Sequence, residues 1–128
     1  MIYLAVAFGG ALGATARFAV AEWARLALPS NVVFPVATLG INVVGSFALG
    51  VILRWSQITG TPPLEWRAFL VVGLCGGFTT FSTFSGETFT LIEAGEYGRA
   101  ALYASLSVVV CVAAIALGVA VARAMARG

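Results

Sequence analysis

Residues Gly73-Leu74-Cys75-Gly76-Gly77-Phe78-Thr79-Thr80-Phe81-Ser82-Thr83-Phe84-Ser85 form a hydroxyl-rich, glycine-broken run inside a segment apolar enough to cross a bilayer. Three glycines and two adjacent β-branched threonines weaken a helix where no water is at hand to satisfy freed backbone groups. That backbone must face protein, an ion or trapped water, which makes the run a candidate site. Two further polar stripes share the apolar setting. Thr38, Asn42 and Ser46 recur every four residues, as do Tyr103, Ser107 and Cys111, so each set lines one helix face. The run itself continues through Thr88 and Thr90 and sets Phe81 and Phe84 three residues apart on a shared face. Ser, Thr, Tyr and Asn offer O–H and N–H donors, and the only acidic residue close to them is Glu87. Donors without a fixed negative charge suit an anion, and the positive edge of a phenylalanine ring suits a small one. Any single hydroxyl can instead return to the carbonyl four residues back, and the two rings can serve core or lipid packing. Three stripes together favour a common polar track.

Composition fixes the class in which such a track must work. The chain has 128 residues, 61% hydrophobic and 9% charged, with a mean hydropathy of +1.03, which is that of an integral membrane protein. All seven cationic side chains are arginines (Arg17, Arg25, Arg54, Arg67, Arg99, Arg123 and Arg127), and there is no Lys, Asp or His. Without His there is neither a Ser–His dyad nor an HExxH zinc site, and five scattered glutamates make no carboxylate metal cluster. An enzyme is not expected. Cys75 and Cys111 lie in apolar segments and read as small buried residues rather than a disulfide framework. A net charge of +2 is too small to imply nucleic acid.

Hydropathy divides the chain into four spans at about 2–26, 33–55, 67–94 and 98–123, each meeting the need for about 20 apolar residues. The first lacks a basic leader and is followed by three more, so it is expected to be a mature helix rather than a signal peptide. The connections, Leu28-Pro29-Ser30-Asn31, the stretch from Ser56 to Pro63, and Ala94-Gly95-Glu96, leave no room for a soluble domain. Residues 1–128 therefore read as a single four-helix transmembrane domain with both termini on one side. That side carries Arg54, Arg67, Arg123 and Arg127 against Arg25 and Arg99 on the other, a bias toward cytoplasmic termini. Arg17 within the first span narrows the difference, and a near-balanced count is compatible with insertion in both orientations.

Four helices packed alone leave little internal space for a solute, so oligomerisation is expected. The small-residue pairs Gly9 with Gly13, Ser46 with Gly50, and Gly73 with Gly77 let helix backbones approach closely, either between subunits or within one bundle.

Three segments resemble one known family. Residues Gly9-Gly10-Ala11-Leu12-Gly13-Ala14-Thr15-Ala16-Arg17-Phe18, then Thr38-Leu39-Gly40-Ile41-Asn42-Val43-Val44-Gly45-Ser46-Phe47, then the run from Gly76 to Phe84 are similar to the signatures of the Fluc (CrcB) fluoride channels. The resemblance spans nearly the whole chain and implies an all-α membrane protein whose third helix is broken near the midplane. It further implies an antiparallel, dual-topology homodimer with two fluoride pores and a structural sodium ion. By resemblance, Asn42 is the pore asparagine, and Phe81 and Phe84 line the fluoride path. The carbonyls of Gly76 and Thr79 are the sodium ligands, Thr38, Ser82, Thr83, Tyr103 and Ser107 fall on the polar track, and Arg17 matches a first-helix arginine. Cys111 departs from the pattern, since a hydroxyl is common there and a thiol is a weaker donor.

Geometry agrees with the sodium assignment. Counted from Arg67, residues 76–79 lie about 14 to 18 Å into the span at 1.5 Å per residue, close to the midplane of a core about 30 Å thick. Two antiparallel copies would share a twofold axis there, bringing two carbonyls from each around one hard cation. The expected function is passive, selective export of fluoride across the inner or plasma membrane, conferring fluoride resistance. Two other functions fit a chain of this size. One is a small dual-topology multidrug or cation exporter, which would need Glu22 or Glu87 as its membrane carboxylate. The other is a non-transporting subunit of a larger membrane complex.

Overall fold

The computed structural model describes residues 1–29 and 31–128; Ser30, in the expected first connection, lies outside the described residues. Four helical spans are long and apolar enough to cross a membrane. They are α1 (Ile2–Ala27), α2 (Val36–Thr59), a compound third span (Leu64–Glu93) and α6 (Tyr97–Met125). The third span runs as a short helix α3 (Leu64–Arg67), a π-helix (Ala68–Cys75), one turn α4 (Gly76–Phe78), a two-residue break, and α5 (Phe81–Glu93).

Prolines and glycines set the boundaries and shift three of the expected ones. The second span begins at Val36 rather than near residue 33, because Pro35 holds Phe34 out of the helical region and itself takes the N-cap position. The same span runs on to Thr59, where Gly60 at φ 97° turns the chain. The third begins at Leu64, directly after Pro63, which suits a first turn that has no intrahelical use for those N–H groups. Between α5 and α6, Gly95 at φ 75° lets its own N–H reach the Ile92 carbonyl and the Glu96 N–H reach Leu91, closing the end of α5 in three residues.

Glycine decides how the spans pack. A Cβ on Gly9 would overlap the Phe69 carbonyl, one on Gly13 would overlap the Leu74 carbonyl, and one on Gly77 would come within 2.7 Å of the Gly10 carbonyl. So α1 lies backbone to backbone against the π-helix and α4. Likewise Gly50 of α2 faces Ile115, while Gly118 of α6 faces Phe47 and Val51. Both glycine pairs, and Gly50 of the third pair, thus hold helices of one chain together, the second of the two uses open to them. Outside these seams the helices present apolar side chains outward, including Phe8, Leu12, Phe18 and Trp23 on α1 and Val108, Val112 and Leu117 on α6. That surface is expected of spans solvated by hydrocarbon.

The π-helix is the element that the sequence pattern did not announce. Its last hydrogen bond takes the Gly76 N–H back to the Val71 carbonyl, five residues earlier. Such wide turns concentrate at functional sites, and this one ends one turn before the break.

Candidate functional site

At the break the chain is extended: Thr79 has ψ 158°, and Thr80 has φ −149° and ψ 115°. An interrupted helix in a membrane needs substitutes for its lost hydrogen bonds, and side chains supply them here. Asn42 on α2 takes both polar groups of Thr80. Its Oδ1 accepts from the Thr80 N–H at 2.8 Å, and its Nδ2 donates to the Thr80 carbonyl at 3.1 Å. The Thr80 hydroxyl then caps α5, accepting from the Thr83 N–H at 3.2 Å and donating to the Thr83 hydroxyl at 3.0 Å.

These two caps free two particular carbonyls. In an unbroken helix the Thr80 N–H would return to the Gly76 carbonyl, and the Thr83 N–H to the Thr79 carbonyl. With Thr80 bound to Asn42 and Thr83 to Thr80, the Gly76 and Thr79 oxygens are released from the ladder. Thr79 still ties its own N–H and hydroxyl back to the Cys75 carbonyl, at 3.0 and 2.9 Å. Its released oxygen receives a long bond, 3.4 Å, from Nη1 of Arg17 on α1. Neutral, hard carbonyl oxygens suit a hard cation such as sodium, and no group of three His, Cys, Asp or Glu side chains offers another donor set among the described residues. Gly76 is exposed at the surface of the chain, so the set opens outward.

One to two turns further along, a second polar cluster joins the third span to α2 and α6. Glu87 of α5 accepts from the Thr38 hydroxyl at its Oε1 and from the Tyr103 hydroxyl at its Oε2, both at 2.7 Å. Tyr103 is fully buried, its ring held edge-on to Phe34 at 5.4 Å and tilted against Phe84 at 5.2 Å. Leu39 and Leu91 complete that cluster. The rings of Phe84 and Phe81 lie 5.4 Å apart, yet their settings differ: Phe84 is half-buried, and Phe81 is 78% exposed.

A cavity of about 390 Å³ adjoins the break. Asn42 and Ser46 of α2, Thr79 and Phe81 of the third span, and Ser107 of α6 line it. Ser107 is buried, and its Oγ has no hydrogen-bond partner.

The hydroxyl stripe of the third span therefore divides. Ser85, Thr88 and Thr90 return their hydroxyls to the carbonyls of Phe81, Phe84 and Gly86, at 2.8 to 3.0 Å, and are nearly apolar in effect. Ser82 and Thr83 do not; both stay in reach of the Thr80 hydroxyl and are exposed. Asn42, Thr80, Thr83, Glu87, Thr38, Tyr103 and Ser107 come together across α2, α5 and α6. Asn42, expected in the path as a donor, also clamps the Thr80 backbone, a role with no sequence signature. Glu87 is the shared acceptor of Thr38 and Tyr103, which the sequence likewise does not announce. The four-residue step from Thr83 to Glu87 put both on one face of α5, while the contacts to Thr38 and Asn42 cross 49 and 38 residues of sequence and leave no local signal.

The family described as CrcB-like protein, Camphor Resistance (CrcB), matches residues 4–119. The chain is 46% identical over 120 residues to a protein of Geobacter metallireducens named fluoride-specific ion channel FluC, covering 94% of this chain and 95% of that one. A protein of the same name from Nitrobacter winogradskyi is 48% identical over 120 residues, covering 94% of each. Another, from Thermus thermophilus, is 48% identical over 102 residues, covering 80% of this chain and 78% of the relative.

Proposed function

The chain belongs to the CrcB family, and from that premise we infer that it is a multi-pass membrane protein that conducts fluoride. The observation that carries the reading is the single line of polar groups crossing an otherwise apolar bundle. Asn42 meets Thr80, Thr83 follows, and Glu87 gathers Thr38 and Tyr103, with the unpartnered Ser107 hydroxyl beside the cavity at one end.

Fluoride is small and strongly hydrated, so a selective path must replace its water with closely placed donors. The Ser107 hydroxyl is unengaged, and Asn42 has one amide hydrogen left beyond its bond to Thr80. The Thr38 and Tyr103 hydroxyls point at Glu87, and each can turn its single hydrogen to a passing anion and back again. Ser82 and Thr83 stand exposed beside Phe81, with no partner beyond the Thr80 hydroxyl at a surface that hydrocarbon would solvate. A second, inverted copy would cover that surface and bring Phe81 to the path. It would also bring a second pair of Gly76 and Thr79 carbonyls to the first, where a structural sodium ion would bind the two copies together. Replacing sodium with a large organic cation is expected to weaken the pair or slow conduction; indifference to the cation would remove sodium from the account.

Conduction is passive and outward. Hydrogen fluoride enters a cell as a neutral acid and dissociates, and an inside-negative potential drives the trapped anion out with about 2.3 kcal/mol per 100 mV. The exporter alternative lacks a free carboxylate at either expected position: Glu22 is bound to Arg25 at 2.9 Å at the end of α1, and both oxygens of Glu87 are engaged by hydroxyls. Reconstituted liposomes separate the cases. Fluoride efflux that survives collapse of the proton gradient is the expected result. Efflux that stops with the gradient would indicate a coupled exporter, and no flux of any solute would indicate a structural subunit.

A further inference from the structure

Anion conduction gives no work to Arg17. It lies past the middle of α1 (Ile2–Ala27), is half-buried, and joins no ion pair among the described residues, where Glu22 is held by Arg25 and Glu96 by Arg99. A charge at that depth in a membrane span is costly and marks a function. Its one hydrogen bond among the described residues runs from Nη1 to the Thr79 carbonyl at 3.4 Å and leaves most of the guanidinium's N–H donors unspent. The glycine seam delivers it there. Gly13, one turn earlier on the same face of α1, admits the backbone of residues 74–78, so the next turn of α1 reaches the break.

The acceptor decides what that charge can do. The Thr79 oxygen is one of the two that the break releases, and of its two lone pairs Arg17 takes one and leaves one. Carbonyl ligands are neutral, so the fixed charges around them set which cation they accept. Glu87, the carboxylate of this region, lies one to two turns on with both oxygens turned to Thr38 and Tyr103, whereas Arg17 is bonded to the ligand oxygen itself. We propose that Arg17 is the specificity-determining residue of the carbonyl site: held on the Thr79 oxygen, its charge admits a hard monovalent cation such as sodium and excludes calcium and magnesium. The proposal rests on the reading of Gly76 and Thr79 as cation ligands. Carbonyl oxygens alone do not discriminate by charge, since calcium takes the same donors. Repulsion does, because the Coulomb energy doubles for a doubly charged ion. A second, inverted copy would bring a second Arg17 to the same site and strengthen the exclusion.

The test needs no conduction. The melting temperature of the purified full-length protein in detergent is followed against sodium, calcium and choline chlorides at matched ionic strength. The parent should be stabilised by sodium and not by calcium. Arg17→Gln keeps a donor for the Thr79 oxygen and removes the charge. Its sodium concentration for half-stabilisation should fall about tenfold, and calcium should now stabilise it, with affinity raised by the square of that factor, about a hundredfold. Arg17→Lys keeps the charge and should still ignore calcium; stabilisation of this variant by calcium would overturn the proposal even where the Gln variant does not fold. A Gln variant with the parent's sodium midpoint and no calcium response overturns the proposal and leaves the cation site standing. A parent that responds to neither cation removes the site, and the proposal with it. If the Gln variant keeps the parent's cation responses but loses fluoride efflux from liposomes, Arg17 serves the anion instead and the proposal fails.

Discussion

The two halves of the third span are built on opposite principles. Residues 64–78 are apolar apart from their first turn, lie against α1 at glycine contacts, and bury Ala68, Gly73 and Cys75. After the break, α5 carries a hydroxyl or carboxyl at most positions, and its only buried residue is Leu91. The first half is packed against α1 within one chain. The second leaves Phe81, Ser82 and Thr83 exposed in a protein whose surroundings are hydrocarbon. Stability is concentrated where backbones touch, and function where the helix ladder has been opened and its polar groups handed to side chains.

The widest separation between the halves should come from glycine substitutions. Gly13→Leu places a side chain into the backbone of residues 74–78, and overpacking of that kind costs about 1–3 kcal/mol or more. The expected outcome is little or no monodisperse protein in mild detergent. Gly86→Ala on α5, where a Cβ meets nothing within 4 Å, should purify like the parent. Equal yields from both would mean that the seam with α1 is not what holds the fold.

Asn42→Ala acts at the junction. It leaves the Thr80 N–H and carbonyl both unpaired at a buried position, about 1–3 kcal/mol for each, and removes a donor from the path. Fluoride efflux should fall about a hundredfold at that energy, and cells lacking their own exporter should lose fluoride resistance. Growth equal to the parent would contradict the clamp.

On α5 the effects should be smaller and confined to conduction. Phe81→Ile and Phe84→Ile should each lower fluoride throughput about tenfold, as expected for losing one favourable contact of about 1.4 kcal/mol, while the protein elutes unchanged. Near-normal flux in both would take the rings out of the path. Glu87→Gln keeps an acceptor oxygen for one hydroxyl, so efflux should change only a few-fold, about 1 kcal/mol. Glu87→Ala frees both hydroxyls from any acceptor and should be clearly the more severe of the two.

The spans were legible because hydropathy and length suffice for a membrane helix, and the prolines and glycines at residues 35, 60, 63 and 95 account for where they begin and end. The break was legible as a weakness in the run from Gly73 to Ser85, but its position was not. Glycines drew attention to residues 73–77, whereas the chain opens at Thr79 and Thr80, where two β-branched residues meet an asparagine from another span. Gly73 and Gly77 serve instead as contact surface for α1, a role that their spacing alone could not separate from pairing between subunits. The hydroxyls showed the same limit. Thr88 and Thr83 are alike in sequence, and only the backbone reveals that Thr88 folds onto Phe84 while Thr83 joins the Thr80 cap. Glu87 was visible as an isolated carboxylate; that two hydroxyls converge on it is a tertiary fact.

The central claim is that opened helix and donor line together make a route for one small anion. It is tested most directly by measuring fluoride and chloride efflux side by side from sodium-loaded liposomes under the same imposed potential. The account predicts fluoride efflux that depends on the protein, with chloride no faster than from protein-free vesicles. Comparable release of both ions, or release of neither, would contradict it.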